Sequence, residues 1–383
     1  MAERVATLIA DNIISPLGYH TSDNYSAVKN GRSCLCRYGE EWGVGDPFMA
    51  ALINHDDVMA ECEAEGISGH YTFFEMMAIL SIRRALAQCD VDVASEKTLI
   101  IISSTKGNVD LLSHRPDDIA EDQVMLGEAA KAIAAYLGNP NQPVVISNAC
   151  ISGASGQIAA ARFIEGGYYD HVIVCGIDVL TPFIVSGFQS LKALTDQPCR
   201  PFDEDRTGIN LGDAASVIIF KGVDKNDLKP GDWYLAAGAI RNDGFHISSP
   251  SNKGEGCYRA LRSVLQRQDL DDIAFLNAHG TATLFNDEME SVAIDRAGLN
   301  KVPVNSLKGY FGHTMGAAGV LETIISICAL NEGLILPTKG YENLGVSRKI
   351  MVTSQMMETS KRSFIKMMSG FGGCNAAMLF KRV

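Results

Sequence analysis

One cysteine lies where a catalytic nucleophile would be expected. Residues 144–147 (Val-Val-Ile-Ser) have the composition of a strand and run into Asn-Ala-Cys-Ile-Ser-Gly-Ala, which predicts a turn into a helix at Cys150. The dipole and the free backbone N–H groups at the start of that helix would stabilise a thiolate. A buried structural cysteine would fit the same segment, so these residues alone leave both interpretations open.

Two histidines share an unusual setting elsewhere in the chain. His279 lies in Asn-Ala-His-Gly-Thr-Ala-Thr and His313 in Lys-Gly-Tyr-Phe-Gly-His, and each follows a predicted strand among glycines. Loops of this kind, at the carboxyl ends of parallel strands, are where α/β proteins build their sites. A single histidine there is often only a hydrogen-bonding residue, but two in matching contexts indicate a site shared with Cys150.

The elements around these residues repeat one pattern in each half of the chain. Short β-rich runs alternate with amphipathic segments, which predicts βαβ units and mainly parallel sheets. The predicted strands are 98–103, 144–147, 171–175, 273–277, 302–306 and 376–380, and the predicted helices are 124–137, 153–164 and 317–330. We therefore expect an N-terminal half at 1–220 and a C-terminal half at 234–383, joined by a polar, turn-rich connection at 221–233.

The composition excludes several classes of protein. The 383 residues are 46% hydrophobic and carry a net charge of −12, which disfavours nucleic acid as a partner. Ten cysteines without a CxxC pair argue against a disulfide scaffold or a zinc ribbon. The sequence shows neither a signal-peptide pattern nor an apolar run of the roughly 18 residues that a membrane span needs. We therefore expect a cytoplasmic protein without a membrane span.

Taken together, Cys150, His279 and His313 with their flanks resemble the Cys-His-His set of the β-ketoacyl-[acyl-carrier-protein] synthases, the decarboxylating condensing enzymes of the thiolase superfamily. Ser-Pro-Leu-Gly at 15–18, Arg-Pro-Phe-Asp at 200–203 and Gly-Phe-Gly-Gly-Cys-Asn at 370–375 resemble further motifs of this family, in the same order. The resemblance implies an α/β, thiolase-like fold, in which two similar βα-repeat halves form a five-layered αβαβα core.

The resemblance also implies a role for each matching residue. Cys150 would take an acyl group from a carrier-protein thioester, and the backbone N–H groups of Cys150 and Phe371 would form the oxyanion hole, with Phe371 also gating the acyl pocket. His279 and His313 would bind the thioester oxygen of malonyl carrier protein as CO₂ leaves, without a metal or an organic cofactor. The remaining implied positions are Lys308 and Glu322 as a charged pair beside the second histidine, Thr281 and Thr283 as pantetheine ligands, and Asp287 and Glu290 as structural hydrogen-bonding residues.

Some features of the chain depart from the family pattern. Residues 121–137, before the nucleophile strand, differ from the apolar segment usual there, so a fatty-acid pathway and a specialised polyketide or aryl-polyene pathway both stay open. Cys374 stands where the family usually has threonine, and a coenzyme A-dependent thiolase is a less favoured alternative.

An acyl carrier protein is the expected partner, with a homodimer as the simplest assembly and a heterodimer with a related subunit as the alternative. Candidate docking cations are Arg32, Arg37, Arg83, Arg84, Lys192, Arg200 and Arg206.

Overall fold

The computed structural model describes residues 3–266 and 270–383. The strands are β1 (Arg4–Ile14), β2 (Cys36–Tyr38), β3 (Phe48–Ala51), β4 (Thr98–Ser103), β5 (Val144–Ile146), β6 (His171–Asp178), β7 (Leu211–Gly212), β8 (Ala214–Asp224), β9 (Trp233–Asn242), β10 (Ile273–Asn277), β11 (Pro303–Asn305), β12 (Leu334–Ile335), β13 (Met351–Val352), β14 (Met357–Glu358), β15 (Ser363–Gly370) and β16 (Cys374–Arg382). The helices are α1 (Thr21–Lys29), α2 (His55–Ala64), α3 (Phe73–Leu86), α4 (Leu126–Tyr136), α5 (Ser152–Glu165), α6 (Pro182–Ser190), α7 (Glu255–Val264), α8 (Leu284–Arg296), α9 (Lys308–Phe311) and α10 (Ala318–Asn331).

The two halves of the chain build sheets with the same strand order. The N-terminal half has the order β5-β4-β6-β8-β1, and the C-terminal half has the order β11-β10-β15-β16-β9, with β13 added beside β11. In both sheets the first three strands are parallel and the last two pair antiparallel. A short antiparallel pairing of β1 with β9 joins the two sheets.

Helices fill the space between the sheets and cover their outer faces. Between them, α5 packs on β1, β9 and β16, and α10 packs on β8 and β15. On the outside, α3 and α4 cover the N-terminal sheet, while α7 and α8 lie on the C-terminal side. Each interface has its own cluster of buried apolar residues, because every sheet is apolar on both faces. The predicted five-layered αβαβα core with two similar halves is therefore confirmed.

Small residues let the two central helices touch backbone to backbone. A Cβ atom on Gly153 of α5 would lie 2.6 Å from the carbonyl oxygen of Gly316, and one on Gly319 of α10 would lie 2.5 Å from the amide nitrogen of Ala154. Neither distance is available to a real side chain, so both positions require glycine. This contact brings the start of α5, which follows Cys150, against the segment that follows His313.

The predicted connection at 221–233 is only partly a loop. Residues 221–224 continue strand β8, a short 3₁₀ turn follows at Lys225–Asp227, and β9 begins at Trp233. The division of the chain into 1–220 and 234–383 stays a prediction. Across residues 3–266 and 270–383, we find no helix with the length and apolar character needed to cross a membrane.

Candidate active site

Cys150 lies in a braced turn between β5 and α5. Ala149 has a φ of 44°, a left-handed conformation that costs a non-glycine residue about 1 kcal/mol. The hydroxyl of Ser152 accepts a hydrogen bond from the Asn148 amide at 2.8 Å and donates one to the Ala149 carbonyl at 2.7 Å. The turn is thus held in place by the first residue of the helix, as the predicted strand-to-helix elbow requires.

The thiol of Cys150 is buried and stays protonated in the free protein. Burial raises the pKa of Cys150 to about 12, and the neighbouring Cys374 adds to this, while Lys308 acts in the opposite direction. The sequence predicted that the helix start would stabilise a thiolate. Burial of the thiol between the two sheets acts against that effect.

The structure brings the two predicted histidines to Cys150. The sulfur and one ring nitrogen of each histidine all lie within 4.8 Å of one another. The rings of His279 and His313 are 5.0 Å apart at an angle of 84°. The backbone of His313 is fixed on both sides, since its amide donates to the Asn210 carbonyl at 2.7 Å and its carbonyl accepts from the Gly212 amide at 3.0 Å.

Both imidazoles are neutral and partly without hydrogen-bond partners. Burial lowers the pKa of His279 and of His313 well below the usual range, and Lys308 lowers both further. Within the described part of the chain, Nδ1 of His279 and both ring nitrogens of His313 have no hydrogen-bond partner. Buried polar atoms of this kind normally find a partner, so these nitrogens are suited to bind a substrate oxygen.

The same three side chains could also serve as metal ligands. One thiol and two imidazoles within 4.8 Å are a donor set that suits a zinc-type ion. The expected absence of a metal stays a prediction.

A buried charge cluster lies beside the histidines. The ammonium of Lys308 is hydrogen-bonded to Oε1 of Glu322, the residue with which the family resemblance pairs it, and the Nζ atom of Lys366 lies 2.6 Å from Oε2 of the same carboxylate. Burial alone would raise the pKa of Glu322, but the two ammonium groups hold it below its usual value. Sequence reasoning missed Lys366, although a lone lysine in the otherwise apolar strand β15 was a signal.

Two buried carboxylates hold the loop that carries His279. Glu290 accepts hydrogen bonds from the amides of His279 at 2.8 Å and Gly280 at 2.7 Å, and Asp287 accepts from the amide of Thr281 at 2.9 Å. Burial, together with the nearby Asp287, raises the pKa of Glu290 to about 7. These contacts agree with the structural, hydrogen-bonding role that was expected for both carboxylates.

A cavity of about 420 Å³ leads to the three reactive groups. Thr281 and Thr283 line it, and their hydroxyls are 2.9 Å apart. Exposed apolar side chains that sequence reasoning did not single out surround it, namely Leu191, Ile247, Leu284 and Phe285. The cavity therefore combines an apolar wall with a few polar groups, as ligand sites commonly do.

Phe371 lies on the loop between β15 and β16 and lines the cavity. The residue is 36% exposed, and its ring lies 5.7 Å from the ring of Phe188. The preceding residue, Gly370, packs against the nucleophile turn so closely that a Cβ there would lie 3.2 Å from the amide nitrogen of Cys150. The loop thus places the backbone around Phe371 next to the Cys150 amide, as a two-amide oxyanion hole would require.

Comparison with known families identifies the chain. Residues 77–226 match the family model of the β-ketoacyl synthase N-terminal domain, and residues 234–342 match that of the C-terminal domain. The chain belongs to the β-ketoacyl synthase family. The predicted family and the predicted class, a condensing acyltransferase, are thereby confirmed.

Two named proteins are similar to this chain in sequence. The 3-oxoacyl-[acyl-carrier-protein] synthase 2 of Rhizobium meliloti is 31% identical over 99% of both chains. Nodulation protein E of Rhizobium leguminosarum bv. trifolii is 32% identical over 68% of this chain and 66% of its own.

Solved ketosynthase structures share the fold. A ketosynthase in complex with its chain length factor from Xenorhabdus doucetiae superposes with a TM-score of 0.86 at 22% identity, over 99% of this chain and 98% of its own. A β-ketoacyl synthase from Burkholderia phymatum superposes with a TM-score of 0.85 at 22% identity, over the full length of both chains.

Proposed function

We propose that this β-ketoacyl synthase joins an acyl group held on Cys150 to a malonyl unit on an acyl carrier protein, with loss of CO₂. The observation that carries the proposal is the convergence of Cys150, His279 and His313 within 4.8 Å beside an apolar cavity. A thiol supplies the nucleophile for acyl transfer, and two neutral imidazoles supply hydrogen bonds to a developing enolate.

Acyl transfer begins with attack of the Cys150 sulfur on the thioester carbon of the donor. Because the resting thiol is protonated, its proton passes to a neighbouring neutral imidazole as the carbon–sulfur bond forms. The amides of Cys150 and Phe371 bind the oxyanion, the bond to the pantetheine sulfur breaks, and the imidazole returns the proton to that sulfur. The chain then holds an acyl-Cys150 thioester with both histidines neutral again.

Condensation follows when malonyl carrier protein takes the place of the released carrier protein, while the acyl group stays on Cys150. His279 and His313 donate hydrogen bonds to the malonyl thioester oxygen, and the bond between the α-carbon and the carboxylate breaks to release CO₂. The resulting carbanion attacks the acyl-Cys150 carbon, the bond from that carbon to the Cys150 sulfur breaks, and the thiolate takes up a proton from water to restore the thiol. The charge of Lys308, paired with Glu322, favours the negative charge that develops at this stage.

The cavity and its rim suit a carrier-protein donor. Thr281 and Thr283 present hydroxyls along the cavity, which we assign to the amides of pantetheine. Among the candidate docking cations, Arg84 is used by ion pairs with Glu61 and Glu65, whereas the exposed Lys192 borders the cavity mouth. One structural neighbour is a ketosynthase in complex with its acyl-carrier protein. We propose Lys192 as one contact of the carrier protein.

Assembly and pathway belong to the same proposal. A homodimer is the simplest assembly, but two structural neighbours pair a ketosynthase with a chain length factor, which favours the heterodimer as the second candidate. In that case Cys150 makes this chain the catalytic subunit.

A coenzyme A-dependent thiolase remains the less favoured alternative, and both the fatty-acid and the specialised polyketide or aryl-polyene pathway stay open. A cytoplasmic location also stays a prediction.

Intact-protein mass spectrometry tests the proposal. The protein is mixed with a panel of acyl carrier proteins, including aryl-polyenyl ones, and any adduct is mapped by peptide. We expect one acyl group on Cys150 in the wild type and in the control Cys36→Ala, whose side chain is exposed, and none in Cys150→Ala. Condensation with malonyl carrier protein should persist in Cys374→Ala, whereas its loss would favour the thiolase alternative. No adduct from any donor, with acyl-coenzyme A included, would overturn the proposal.

A further inference from the structure

Lys366 is a fully buried lysine within an apolar strand. Its neighbours on β15, Phe364, Ile365, Met367 and Met368, are at most 1% exposed, and Lys366 itself is 0% exposed. Removing an ammonium group from water is costly unless anions and hydrogen-bond acceptors replace the water. The groups that its charge stabilises are therefore the anions and hydrogen-bond acceptors around Lys366.

The hydrogen bonds of Lys366 lead to the loop of His279. Its Nζ atom lies 2.6 Å from Oε2 of Glu322 and 2.9 Å from the carbonyl oxygen of Met367. It also lies 3.4 Å from the carbonyl oxygens of Asn277 and Ala278, the two residues that precede His279. With Glu290 on the amides of His279 and Gly280, the backbone of His279 is thus held from both directions.

Two ammonium groups of this cluster share one carboxylate. Lys308 and Lys366 both pair with Glu322, and burial, together with the nearby Asp287, raises the pKa of the other close carboxylate, Glu290. Burial also lowers the pKa of Lys366, while Glu322 acts in the opposite direction. The cluster of hydrogen-bonded charged groups beside the imidazoles thus contains two ammonium groups and one carboxylate.

We propose that Lys366 is a positioning residue of the condensation reaction, which anchors the carbonyl groups before His279 and supplies a second buried positive charge beside the two imidazoles. This inference rests on the proposed function. Among the described residues, the charged and titratable groups around the imidazoles are Lys308 from α9, Lys366 from β15 and the Cys150 thiol before α5, with Glu322 of α10 between the two lysines and Glu290 of α8 on the backbone of His279. Positive charge there opposes protonation of the imidazoles and favours the negative enolate.

The variant Lys366→Met tests both parts of the inference. Methionine has a similar length without the charge, and the Lys308–Glu322 pair remains to keep the core neutral. The control is Lys361→Met, which removes an exposed lysine from the segment just before the same strand. We expect faster hydrogen–deuterium exchange at 277–283, because the carbonyl anchors are lost. We also expect the acid limb of malonyl decarboxylation to move up by about one pH unit, because the imidazoles protonate more easily.

The outcomes separate this inference from the proposed function. Exchange at 277–283 that matches the Lys361→Met control would overturn the anchoring role, even in a protein that shows no decarboxylation. Faster exchange with an unmoved acid limb would overturn the electrostatic role. A wild type that neither takes up an acyl group nor decarboxylates malonyl carrier protein would instead contradict the proposed function. If Lys366→Met does not fold, Lys366→Gln keeps a donor for the carbonyls without the charge and is measured in the same way.

Discussion

The reactive side chains of the free protein carry no charge. Cys150 is a buried thiol with a pKa of about 12, and burial keeps His279 and His313 neutral. Their positive neighbours, Lys308 and Lys366, are held by Glu322 rather than by the reactive groups. Such a site lacks a preformed thiolate–imidazolium pair. Negative charge therefore develops only during the reaction, on the sulfur or the substrate, near the ammonium groups of Lys308 and Lys366.

The alkylation of Cys150 should follow this protonation state. Below its pKa, each pH unit multiplies the thiolate fraction about tenfold, so the rate of reaction with iodoacetamide should rise about tenfold per unit from pH 7 to 10 without a plateau. Peptide mapping measures the rate at Cys150, and the exposed Cys36 in the same sample serves as a reference for the reagent. A plateau near pH 8 would contradict the prediction and restore the thiolate expected from the helix start.

The histidines should affect the two half-reactions differently. His279→Ala or His313→Ala should lower malonyl decarboxylation by roughly 10²-fold, since each removes a hydrogen bond to the developing enolate. Acyl loading of Cys150 should fall less, because the backbone oxyanion hole remains and the other imidazole can still take the proton. Stopped-flow release of CO₂ and mass spectrometry of the acyl-enzyme give the two rates. Equal losses in both steps would argue against this division of roles.

At the scale of elements, the site depends on the contact between the two central helices. Cys150 precedes α5 and His313 precedes α10, and each is positioned through the glycine contacts described above. Helix–helix packing at this distance leaves no room for a methyl group, since the neighbouring atoms belong to the backbone and cannot rotate away. The relative position of thiol and imidazole is therefore a property of this interface.

Gly153→Ala should disturb both stability and activity. Its Cβ would lie 2.6 Å from the Gly316 carbonyl oxygen, so we expect a loss of about 2 kcal/mol in the free energy of unfolding and a fall in condensation rate. The control is Gly127→Ala on α4, where the added methyl meets open space and should be neutral or slightly stabilising. Urea unfolding compares the two variants. Equal stabilities would show that the helices separate without cost.

At the scale of the molecule, the sheet of the N-terminal half ends on an open strand. The outermost strand is β5, its three residues are half-buried, and it leads directly into the Cys150 turn. Within the described residues no other strand pairs with its outer side. Leu112 and Met125, in the segment between β4 and α4, are 69% and 62% exposed. Unpaired edges and exposed apolar side chains are features that proteins usually cover, which supports a dimer through this edge.

Met125→Glu should weaken that dimer without unfolding the chain. Light scattering after size-exclusion chromatography should give twice the chain mass for the wild type and a shift toward the chain mass for the variant, because a buried unpaired carboxylate is costly at an interface. The control is Met356→Glu, a partly exposed methionine between β13 and β14. A wild type that is monomeric by itself, and becomes dimeric only with a related subunit, would favour the heterodimer.

The sequence predicted elements well wherever local composition and burial agree. Strands β4 and β10 match the predicted 98–103 and 273–277 residue by residue, because they are continuous apolar runs buried on both faces. Helices α4, α5 and α10 differ from prediction by at most two residues at either end. Residues 221–224, part of the predicted connection, lie in strand β8, since the polar end of that strand resembles a loop when its pairing with β1 is unknown.

The sequence by itself determined the types of reactive group and their order along the chain, because motifs are local and their residues lie close together in sequence. It also indicated the repeated βα halves, whose periodicity is local as well. Only the tertiary structure decided that Cys150 is a neutral thiol, that Glu322 bridges two lysines, and that Lys366 belongs to the site. The reason is physical: desolvation and Coulomb interactions depend on which groups surround a side chain in space, and those groups come from strands and helices far apart in sequence.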